Sequence, residues 1–394
     1  MRNYKKIAIV IGLLILVPTS FFFGYSLREI RTIKTLLIGP QETDFSLIME
    51  AYRTLQNNFV EPNKIEDKKI IHGAIEGMVE SLDDPQTVFF NPEETKRFLE
   101  DIEGRFEGVG MEIDVRNNQL QIISPIKGMP ADLAGLLAED LILKINGTET
   151  KDLSREEAVS LIRGPKGTKV ILSILRTGWK EPRDFSIIRD IIVLPSIEWK
   201  IVNGNIAHLK LHHFYKDAYN DFQKIAREII ESPSQGIILD LRNNSGGYLN
   251  VSQDIGDWFL EKGEIFVIER FPDRKNKMKT EGTGRLSHYP IVVLINEGSA
   301  SASEILAGAL RDNRNVQLIG ETSFGKGSIQ NIEYLSDGSA IKITVAHWLT
   351  PKEETISGKG LIPDVKIEMT AEDYKNNRDP QLNRAIETIK KILQ

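Results

Sequence analysis

The sequence contains no cysteine, which excludes disulfides, cysteine nucleophiles and thiolate metal sites. Its six histidines form no H-E-x-x-H pattern, so a zincin-type zinc site has no support. Basic residues are also not in excess: the sequence has 50 Lys and Arg and 56 Asp and Glu, which gives a formal net charge of −6. Nucleic acid is therefore not expected as a partner, and neither a metal nor another cofactor is predicted.

One uncharged run, Ile7 to Tyr25, follows the basic residues Arg2, Lys5 and Lys6. As a helix these 19 residues would span about 28 Å, close to the hydrocarbon thickness of a bilayer. The positive flank should stay in the cytoplasm, so the rest of the chain is expected outside it. A cleaved signal peptide is the alternative, although no A-x-A site follows the run. We predict an uncleaved, single-pass anchor in the cell membrane.

The patterning of the remaining chain changes several times. Apolar residues recur every four positions at first, which predicts helices. Short alternating runs, typical of strands, come next. Strands and helices then alternate, which predicts a mainly parallel sheet and an α/β fold. The predicted segments are residues 1–25 (basic flank and anchor), 26–43 (tether), 44–98 (helical region), 99–180 (β-domain) and 181–394 (α/β core with a C-terminal helix).

Two glycine-containing motifs mark the segment 99–180. Pro130-Ala-x-x-Ala-Gly135 precedes Asp140-x-Ile-x-x-Ile-Asn-Gly147, and Phe106-Glu-Gly-Val-Gly-Met111 lies upstream. This order resembles a PDZ domain, in which a glycine-rich turn points N–H groups at the terminal carboxylate of a peptide bound as an added strand. Glu139 departs from the usual glycine, so a left-handed turn there would be mildly strained. A structural β-domain without a ligand is the alternative. The predicted peptide-binding residues are Gly108, Val109, Gly110, Met111 and Arg163.

Ser301 lies where a buried strand, 291–295, is predicted to run into a helix. A serine at such a turn is exposed in the manner of a nucleophile elbow, and the helix N-terminus favours developing negative charge. The N–H of Ala302 could serve an oxyanion hole. The pattern Ser301-x-x-Glu304 also fits a capping box, and small residues here would equally permit tight packing.

Lys326 stands between Gly325 and Gly327 after another predicted strand. A lysine can deprotonate a serine only when it is neutral, and burial favours that form. Ser–Lys pairs are a known variant of triad chemistry. A phosphate-binding P-loop is the rival interpretation, but Gly327 occupies the position of the magnesium-binding Ser or Thr. The residues that follow also look extended, which disfavours a P-loop.

A third motif, Asp240-Leu-Arg-Asn-Asn-Ser-Gly246-Gly247, follows a further buried strand. Its glycines would let the backbone approach a ligand closely, and an N–H there could supply a second oxyanion donor. An ordinary strand-to-helix connection is the alternative.

Taken together, the motifs resemble those of the C-terminal processing peptidases, also called tail-specific proteases. The resemblance covers nearly the whole chain past the predicted anchor. One departure is the run Lys352-Glu353-Glu354, where the family often has a Gly-Arg-containing turn. The matching motifs are Asp84-Pro85-x-Thr87, Pro92-Glu93-Glu94, Asp240–Gly247, Gly298–Glu304, Thr322-x-Phe324-Gly-Lys-Gly-x-x-Gln330, Trp348-x-Thr350-Pro351, Gly360-Leu-Ile-Pro363-Asp364 and Asp379-Pro-Gln-Leu382.

This resemblance implies an α/β, ClpP/crotonase-like peptidase core with an inserted PDZ domain, an N-terminal helical region and a transmembrane anchor. It implies a serine endopeptidase that cleaves extracytoplasmic proteins and recognises their C-terminal tails through the PDZ domain. Ser301 matches the nucleophile, Lys326 the general base and Gln330 the residue that positions the lysine. Gly246 and Ala302 match the oxyanion donors. Arg163 resembles a residue proposed to couple the PDZ domain to the active site.

Two other functions stay open at this point. One is a Ser–His–Asp hydrolase, although no G-x-S-x-G elbow supports it. The other is a membrane-tethered, non-catalytic PDZ adaptor, which the intact Ser301, Lys326 and Gln330 disfavour. The expected partners are proteins or peptides with exposed C-terminal tails, the membrane, and a second copy bound through the N-terminal helices. The histidines available to a hydrolase are His208, His212, His213, His288 and His347.

Overall fold

The computed structural model describes residues 44–116 and 119–394. The predicted anchor and tether lie outside these described residues. Among the residues described, no helix has both the length and the apolar character needed to cross a bilayer. The chain forms two compact units, with the boundary after Ala74.

The first unit is helical, as its periodicity predicts. Helix α1 (Ser46–Asn58), a short 3-10 turn (Pro62–Lys64) and helix α2 (Asp67–Glu80) follow one another, and α2 continues past the unit boundary. Tyr52 donates a hydrogen bond to Asp67 at 2.6 Å, which joins the two helices. The apolar residues of α1 are exposed, so this unit does not bury its predicted apolar face within itself.

After the end of α2, the second unit continues with a short strand and a helix. Strand β1 (Val88–Phe90) leads into helix α3 (Pro92–Glu103). Asn91 caps α3, because its side chain accepts from the N–H groups of Glu93 and Glu94 at 3.0 Å. Such a cap satisfies N–H groups that have no partner within the helix.

Residues 105–193 form a β-domain with its own apolar core. Its elements are β2 (Arg105–Gly108), β3 (Met111–Arg116), β4 (Gln119–Pro125), α4 (Pro130–Leu133), β5 (Leu141–Ile145), β6 (Thr148–Glu149), α5 (Arg155–Ile162), β7 (Lys169–Leu175), β8 (Arg183–Ile188) and β9 (Asp190–Val193). The main sheet has the order β3-β4-β5-β7-β8, and β2 pairs with β9. Alternate residues of β7 are buried, which confirms the period-two pattern. Ser154 and Glu157 form a capping box at the start of α5, as their spacing in the sequence predicts.

The remaining chain forms the core of the second unit. Its elements are β10 (Ile197–Val202), β11 (Ile206–Leu211), α6 (Ala218–Glu231), β12 (Gly236–Asp240), α7 (Leu249–Gly256), β13 (Ile265–Arg270), β14 (Lys275–Lys279), β15 (Ile291–Ile295), α8 (Ala302–Arg314), β16 (Gln317–Gly320), β17 (Ser328–Tyr334), β18 (Ala340–Leu349), β19 (Val365–Lys366), α9 (Ala371–Lys375) and α10 (Pro380–Leu393).

The central sheet has the order β10-β11-β12-β15-β16-β19 and is parallel except for β10. Every residue of β12 and β15 is buried. One face packs against α6, α7 and α8, and the opposite face against α10. Burial on both faces explains why these strands read as continuous apolar runs, and it confirms the predicted α/β core.

A second sheet is antiparallel, and the sequence predicts only one hairpin of it, at the turn Asp337-Gly338. The hairpin of β17 and β18 is present, and β18 also pairs with β1 and β13. Strand β14 extends the sheet from β13. The β13–β14 hairpin escapes prediction because its exposed, lysine-rich β14 lacks the alternation that marks a half-buried strand.

Two glutamates occupy backbone positions that favour glycine. Glu139 has a φ of +70°, which confirms the left-handed turn expected in the β-domain. Glu353, in the run that departs from the family pattern, has a φ of +66°. The N–H of Thr350 donates to the carbonyl of Glu354 at 2.9 Å, so this turn closes without a glycine.

Candidate active site

Ser301 lies at a strained turn between β15 and α8. Its φ of +56° and ψ of −117° are rare for a residue with a side chain. The turn is tied to the chain that follows β12, because the N–H of Ala300 donates to the carbonyl of Asn244 at 3.0 Å. Ser299 Oγ also donates to the carbonyl of Leu241 at 2.8 Å. A half-buried serine on such a turn has the backbone geometry of a nucleophile elbow.

Gly246 packs directly against this elbow. A Cβ atom at Gly246 would lie 2.8 Å from Ser301 Cβ and 3.1 Å from the amide nitrogen of Ala302. The N–H of Ala302 has no acceptor among the described residues. The N–H of Gly246 instead donates to Asn244 Oδ1 at 2.9 Å. The two predicted oxyanion donors are therefore adjacent. Of these two N–H groups, that of Gly246 already has an acceptor, and that of Ala302 has none among the described residues.

Glu304 is a site residue whose role the sequence did not reveal. Its carboxylate is fully buried and accepts four hydrogen bonds. Burial raises the pKa of Glu304 above its usual value, although these hydrogen bonds oppose the shift. The capping-box pattern accounts for only one of them. The donors are the N–H of Ser301 at 2.9 Å, Ser323 Oγ at 2.6 Å, the N–H of Gly325 at 2.7 Å and the N–H of Lys326 at 3.0 Å.

Through Glu304, the backbone of Lys326 is held beside the elbow. The Lys326 side chain is half-buried, and burial lowers the pKa of its amine, while the charge of Glu304 raises it by less. Within residues 44–116 and 119–394, no hydrogen bond joins Lys326 Nζ to Ser301 Oγ. Gln330 donates its side-chain amide to Ser328 Oγ at 2.6 Å, not to Lys326. The structure thus holds the backbones of Ser301 and Lys326 together through Glu304, but it does not link the side chains of Ser301, Lys326 and Gln330 to one another.

The glycines on either side of Lys326 permit close backbone contact. A Cβ at Gly325 would lie 2.9 Å from the amide nitrogen of Gly360, and one at Gly327 would lie 2.3 Å from that of Ser357. Phe324 also donates its N–H to the carbonyl of Ser299 at 2.9 Å. These contacts fix the loop at the elbow. Because residues 328–334 form a strand, the P-loop interpretation is also disfavoured by the structure.

Histidines do not complete a triad here. None of the five histidines available to a Ser–His–Asp hydrolase is hydrogen-bonded to Ser301 in the part of the chain that the structure describes. His208 is buried, and its Nε2 lies 3.0 Å from Asp240 Oδ2. Burial lowers the pKa of His213 to about 4. His347 lies opposite Ser328 in the β17–β18 hairpin.

The Asp240–Gly247 motif also anchors the C-terminal helix. Arg242 donates to Asp240 at 2.7 Å and to Asp379, the residue before α10, at 2.9 Å. Burial raises the pKa of Asp240, but hydrogen bonds from Arg242 and His208 lower it by more, so it lies well below its usual value. The buried carboxylate is therefore ionised and compensated by Arg242.

Replacing Arg242 with alanine should lower the free energy of unfolding by about 3–5 kcal/mol, because a buried charge loses its partner. Urea unfolding followed by circular dichroism measures this change. Arg274→Ala is the control: it removes an exposed ion pair with Asp273, and we expect a change within about 0.5 kcal/mol. Equal losses in the two variants would contradict the role of Arg242. In the unchanged protein, the stability that ionised Asp240 contributes should be lost as the pH falls below about 4.

The predicted peptide-binding residues meet at one groove of the β-domain. The groove has a volume of about 80 Å³. It lies beside β3, an edge strand of its sheet. The N–H groups of Val109 and Gly110 have no acceptor among the described residues, while their carbonyls accept from Ala131 and Ile126. The lining residues are Phe106, Gly108, Val109, Gly110, Met111, Ile113, Val159, Ile162 and Arg163.

Arg163 connects this groove to α3. Its guanidinium lies 4.3 Å from the centre of the Phe106 ring and 2.8 Å from Asp101 of α3. The arginine is therefore engaged by an aromatic face and a carboxylate from outside the β-domain.

Known protein families match three stretches of the chain. Residues 205–367 match peptidase family S41, and residues 121–176 match the PDZ domain. Residues 30–95 match the N-terminal domain of the activating protease CtpB. The order of these matches agrees with the order of motifs in the sequence.

Individual relatives are similar over most of their length. The carboxy-terminal processing protease CtpA of Bacillus subtilis is 39% identical over 83% of this chain and 70% of its own. CtpB of the same organism is 34% identical over 93% of this chain and 78% of its own. The solved structure of a photosystem II D1 C-terminal processing protease has a TM-score of 0.53 and 27% identity, and covers 83% of this chain and 93% of its own.

Proposed function

Since this chain belongs to peptidase family S41, among the carboxy-terminal processing serine proteases, we propose that Ser301 is its nucleophile and Lys326 its general base. The observation that carries the proposal is the buried carboxylate of Glu304. One of its oxygens accepts from the backbone N–H groups of both Ser301 and Lys326. Two segments that are distant in sequence are thereby held at one point.

The reaction follows from these groups. Neutral Lys326 takes the proton of Ser301 Oγ as that oxygen attacks a peptide carbonyl carbon. The N–H of Ala302, with a second donor from the Gly246 loop, stabilises the oxyanion. When the C–N bond breaks, the lysine ammonium returns its proton to the leaving amine, and an acyl-enzyme remains. Water, deprotonated by Lys326, then releases the acyl group.

Catalysis requires a side-chain rearrangement from the described state. Lys326 Nζ must reach Ser301 Oγ, and Gln330 must leave Ser328 to hold the amine. If Gly246 is to donate to the oxyanion, its N–H must also leave Asn244. These changes take the donors away from Ser328 Oγ and from the buried Asn244 Oδ1, so the hydrogen bonds gained in the reactive complex must offset that loss.

We further propose that the β-domain binds the C-terminal tails of substrate proteins. The unoccupied N–H groups of Val109 and Gly110 suit a terminal carboxylate, and the free edge of β3 suits an added strand. The apolar lining of the groove, with Ile113, Val159 and Ile162, suits an apolar last side chain. Arg163 would sense the bound tail and pass the change on through Asp101.

The site of action is also a proposal. The apolar run after a basic flank supports an anchor in the cell membrane with the catalytic domain outside the cytoplasm. The exposed apolar side chains of Leu47 and Leu55 in α1, and of Phe59 directly after it, support a homodimer formed through the N-terminal helices.

An acylating serine probe tests the proposed nucleophile. The full-length protein should be labelled on Ser301, and Ser301→Ala should show no labelling, because the reactive hydroxyl is gone. Peptide mapping by mass spectrometry identifies the labelled residue. Ser336→Ala, which changes an exposed serine of the β17–β18 turn, should keep the labelling. Labelling that persisted in Ser301→Ala would assign the nucleophile elsewhere and disprove the dyad.

A further inference from the structure

The chain that follows β11 supports the loop that carries Gly246, residues 244–248, here called the oxyanion loop. The N–H of Phe214 donates to the carbonyl of Gly246 at 2.9 Å. The carbonyl of Phe214 in turn accepts from the N–H of Tyr248 at 2.9 Å. The contact at Gly247 is close, since a Cβ there would lie 2.4 Å from the Phe214 carbonyl oxygen. Because the Phe214 side chain is fully buried, this backbone contact is anchored in the core.

The next residue, Tyr215, packs against the neck of the β-domain, the segment 103–105 through which the chain passes from α3 into β2. The Tyr215 ring stacks on His213, with ring centres 4.6 Å apart. The ring also lies directly on Gly104, because a Cβ there would come within 2.2 Å of its Cδ2 atom. The carbonyl of Gly104 accepts from the N–H of Leu194, the residue after β9, at 3.2 Å. The ring therefore lies where the chain both enters and leaves the β-domain.

Two charged contacts flank this ring. Arg105 forms an ion pair with Asp217, and Lys216 Nζ lies 3.9 Å from Glu103 Oε1. Both pairs are exposed, so each contributes little energy. Their arrangement is what matters here: the three consecutive residues 215–217 contact the three consecutive residues of the neck. The two segments are therefore held in register along their length.

We propose that Tyr215 is a positioning residue for the oxyanion loop. Its ring, seated on Gly104, holds Phe214 in the place from which the Phe214 backbone fixes Gly246. The inference rests on the proposed function, in which the Gly246 loop supplies an oxyanion donor. Such donors act through fixed geometry, and a displacement of about 1 Å can cost about 10²-fold in rate. One side chain would thus set both the neck of the β-domain and the geometry of the oxyanion loop.

The test uses variants of the full-length protein that alter the contact from either side. Tyr215→Ala removes the ring, whereas Tyr215→Phe keeps it. Gly104→Ala, at a φ of +68°, adds a methyl group against the ring. Gly178→Ala is its matched control, because a Cβ there, at a φ of +88°, would meet no atom within 4 Å. Tyr374→Ala, which removes an exposed tyrosine of α9, is the control for the loss of a ring.

Two measurements are made on each variant. The first gives kcat and KM for cleavage of an unstructured protein with an apolar C-terminal tail. The second is amide hydrogen exchange followed by mass spectrometry, which compares the oxyanion loop with the fully buried strand β12. The amide of Tyr248, which donates to Phe214, reports directly on the support of the loop. This measurement does not require proteolysis.

In Tyr215→Ala and Gly104→Ala we expect kcat to fall at least about tenfold and KM to change less than about twofold, because the donor is displaced while the substrate contacts remain. In Tyr215→Ala, exchange in the oxyanion loop should become at least about tenfold faster, with β12 unchanged. Tyr215→Phe, Gly178→Ala and Tyr374→Ala should keep the original values. The double variant Gly104→Ala/Tyr215→Ala should be no slower than Tyr215→Ala, since the added methyl group has no ring to meet.

A purely structural role of the ring predicts something different. If folded Tyr215→Ala kept its kcat, changed only KM, or lost kcat with no faster exchange in the oxyanion loop, the proposal would be overturned. An equal loss in Gly178→Ala, or equally faster exchange in β12, would overturn it as well. If the unchanged protein cleaved nothing while exchange in the loop still responded to Tyr215→Ala, the proposed function would fail but the positioning of the loop would stand. Thermal unfolding establishes that each variant is folded, and either Tyr215→Ala or Gly104→Ala alone is sufficient for the test of kcat.

Discussion

Replacing Lys326 with alanine should reduce kcat/KM for tail cleavage by about 10⁴-fold or more, because no other group at the site can accept the proton of Ser301. Lys326→Arg should be equally inactive, since a guanidinium stays charged throughout the accessible pH range. The arginine variant separates proton acceptance from positive charge. Cleavage is measured by mass spectrometry of the shortened products of an unstructured, apolar-tailed protein. In the unchanged enzyme the activity should rise with pH as Lys326 loses its proton.

The folded state should tolerate these changes. Lys326 Nζ has no ion pair in the described chain, so its removal should hardly alter the midpoint of thermal unfolding. Lys359→Ala is a suitable control, because this lysine is exposed in the loop next to that of Lys326 and should keep full activity. Substantial cleavage by Lys326→Arg would contradict the role of general base and leave only an electrostatic role for the residue.

Replacing Gly246 with alanine should lower kcat by about 10²–10³-fold, the usual effect of losing one oxyanion donor. The added methyl carbon would lie 2.8 Å from Ser301 Cβ, 2.9 Å from the carbonyl of Ala300 and 3.1 Å from the amide nitrogen of Ala302. It would therefore push the elbow away and fill the space that the oxyanion needs. Because KM depends mainly on substrate contacts elsewhere, we expect the loss to appear in kcat.

Gly263→Ala provides a matched control for backbone strain. Gly246 and Gly263 have φ angles of +103° and +92°, but a Cβ at Gly263 would meet no atom within 4 Å. A side chain at positive φ should cost about 1–2 kcal/mol of stability at either position, and Gly246→Ala adds to this the cost of its contacts with the elbow. Only Gly246→Ala should lose activity. If both variants lost kcat equally, general strain and not the oxyanion site would explain the result.

The state described here is consistent with an enzyme that waits for its substrate. Ser301 and Lys326 are held by one carboxylate, yet their side chains are not joined, and Gln330 is engaged by Ser328. Catalytic hydrogen bonds often tighten only in the substrate complex. The ion pair between Arg163 and Asp101 gives the proposed tail sensor a contact outside its own domain, which a bound carboxylate would compete for.

Much about this protein could be predicted because it is encoded locally. Apolar runs between turn residues marked β12 and β15, and the small residues around Ser301 marked a strand-to-helix turn. Gly325 and Gly327 marked a lysine on a loop that needs close backbone contact. Such features depend on neighbours within a few residues, so spacing and residue type were sufficient to identify the α/β core, the β-domain and the candidate nucleophile and base.

Only the tertiary structure decided which distant groups meet. The sequence pattern predicts Glu304 only as part of a helix cap. In the folded chain its carboxylate accepts hydrogen bonds from both the elbow and the Lys326 loop. Packing places the Tyr215 ring on Gly104, and Arg242 reaches a residue 137 positions away in the chain. Such contacts depend on how whole elements pack in space, and a linear pattern of residues does not encode that packing.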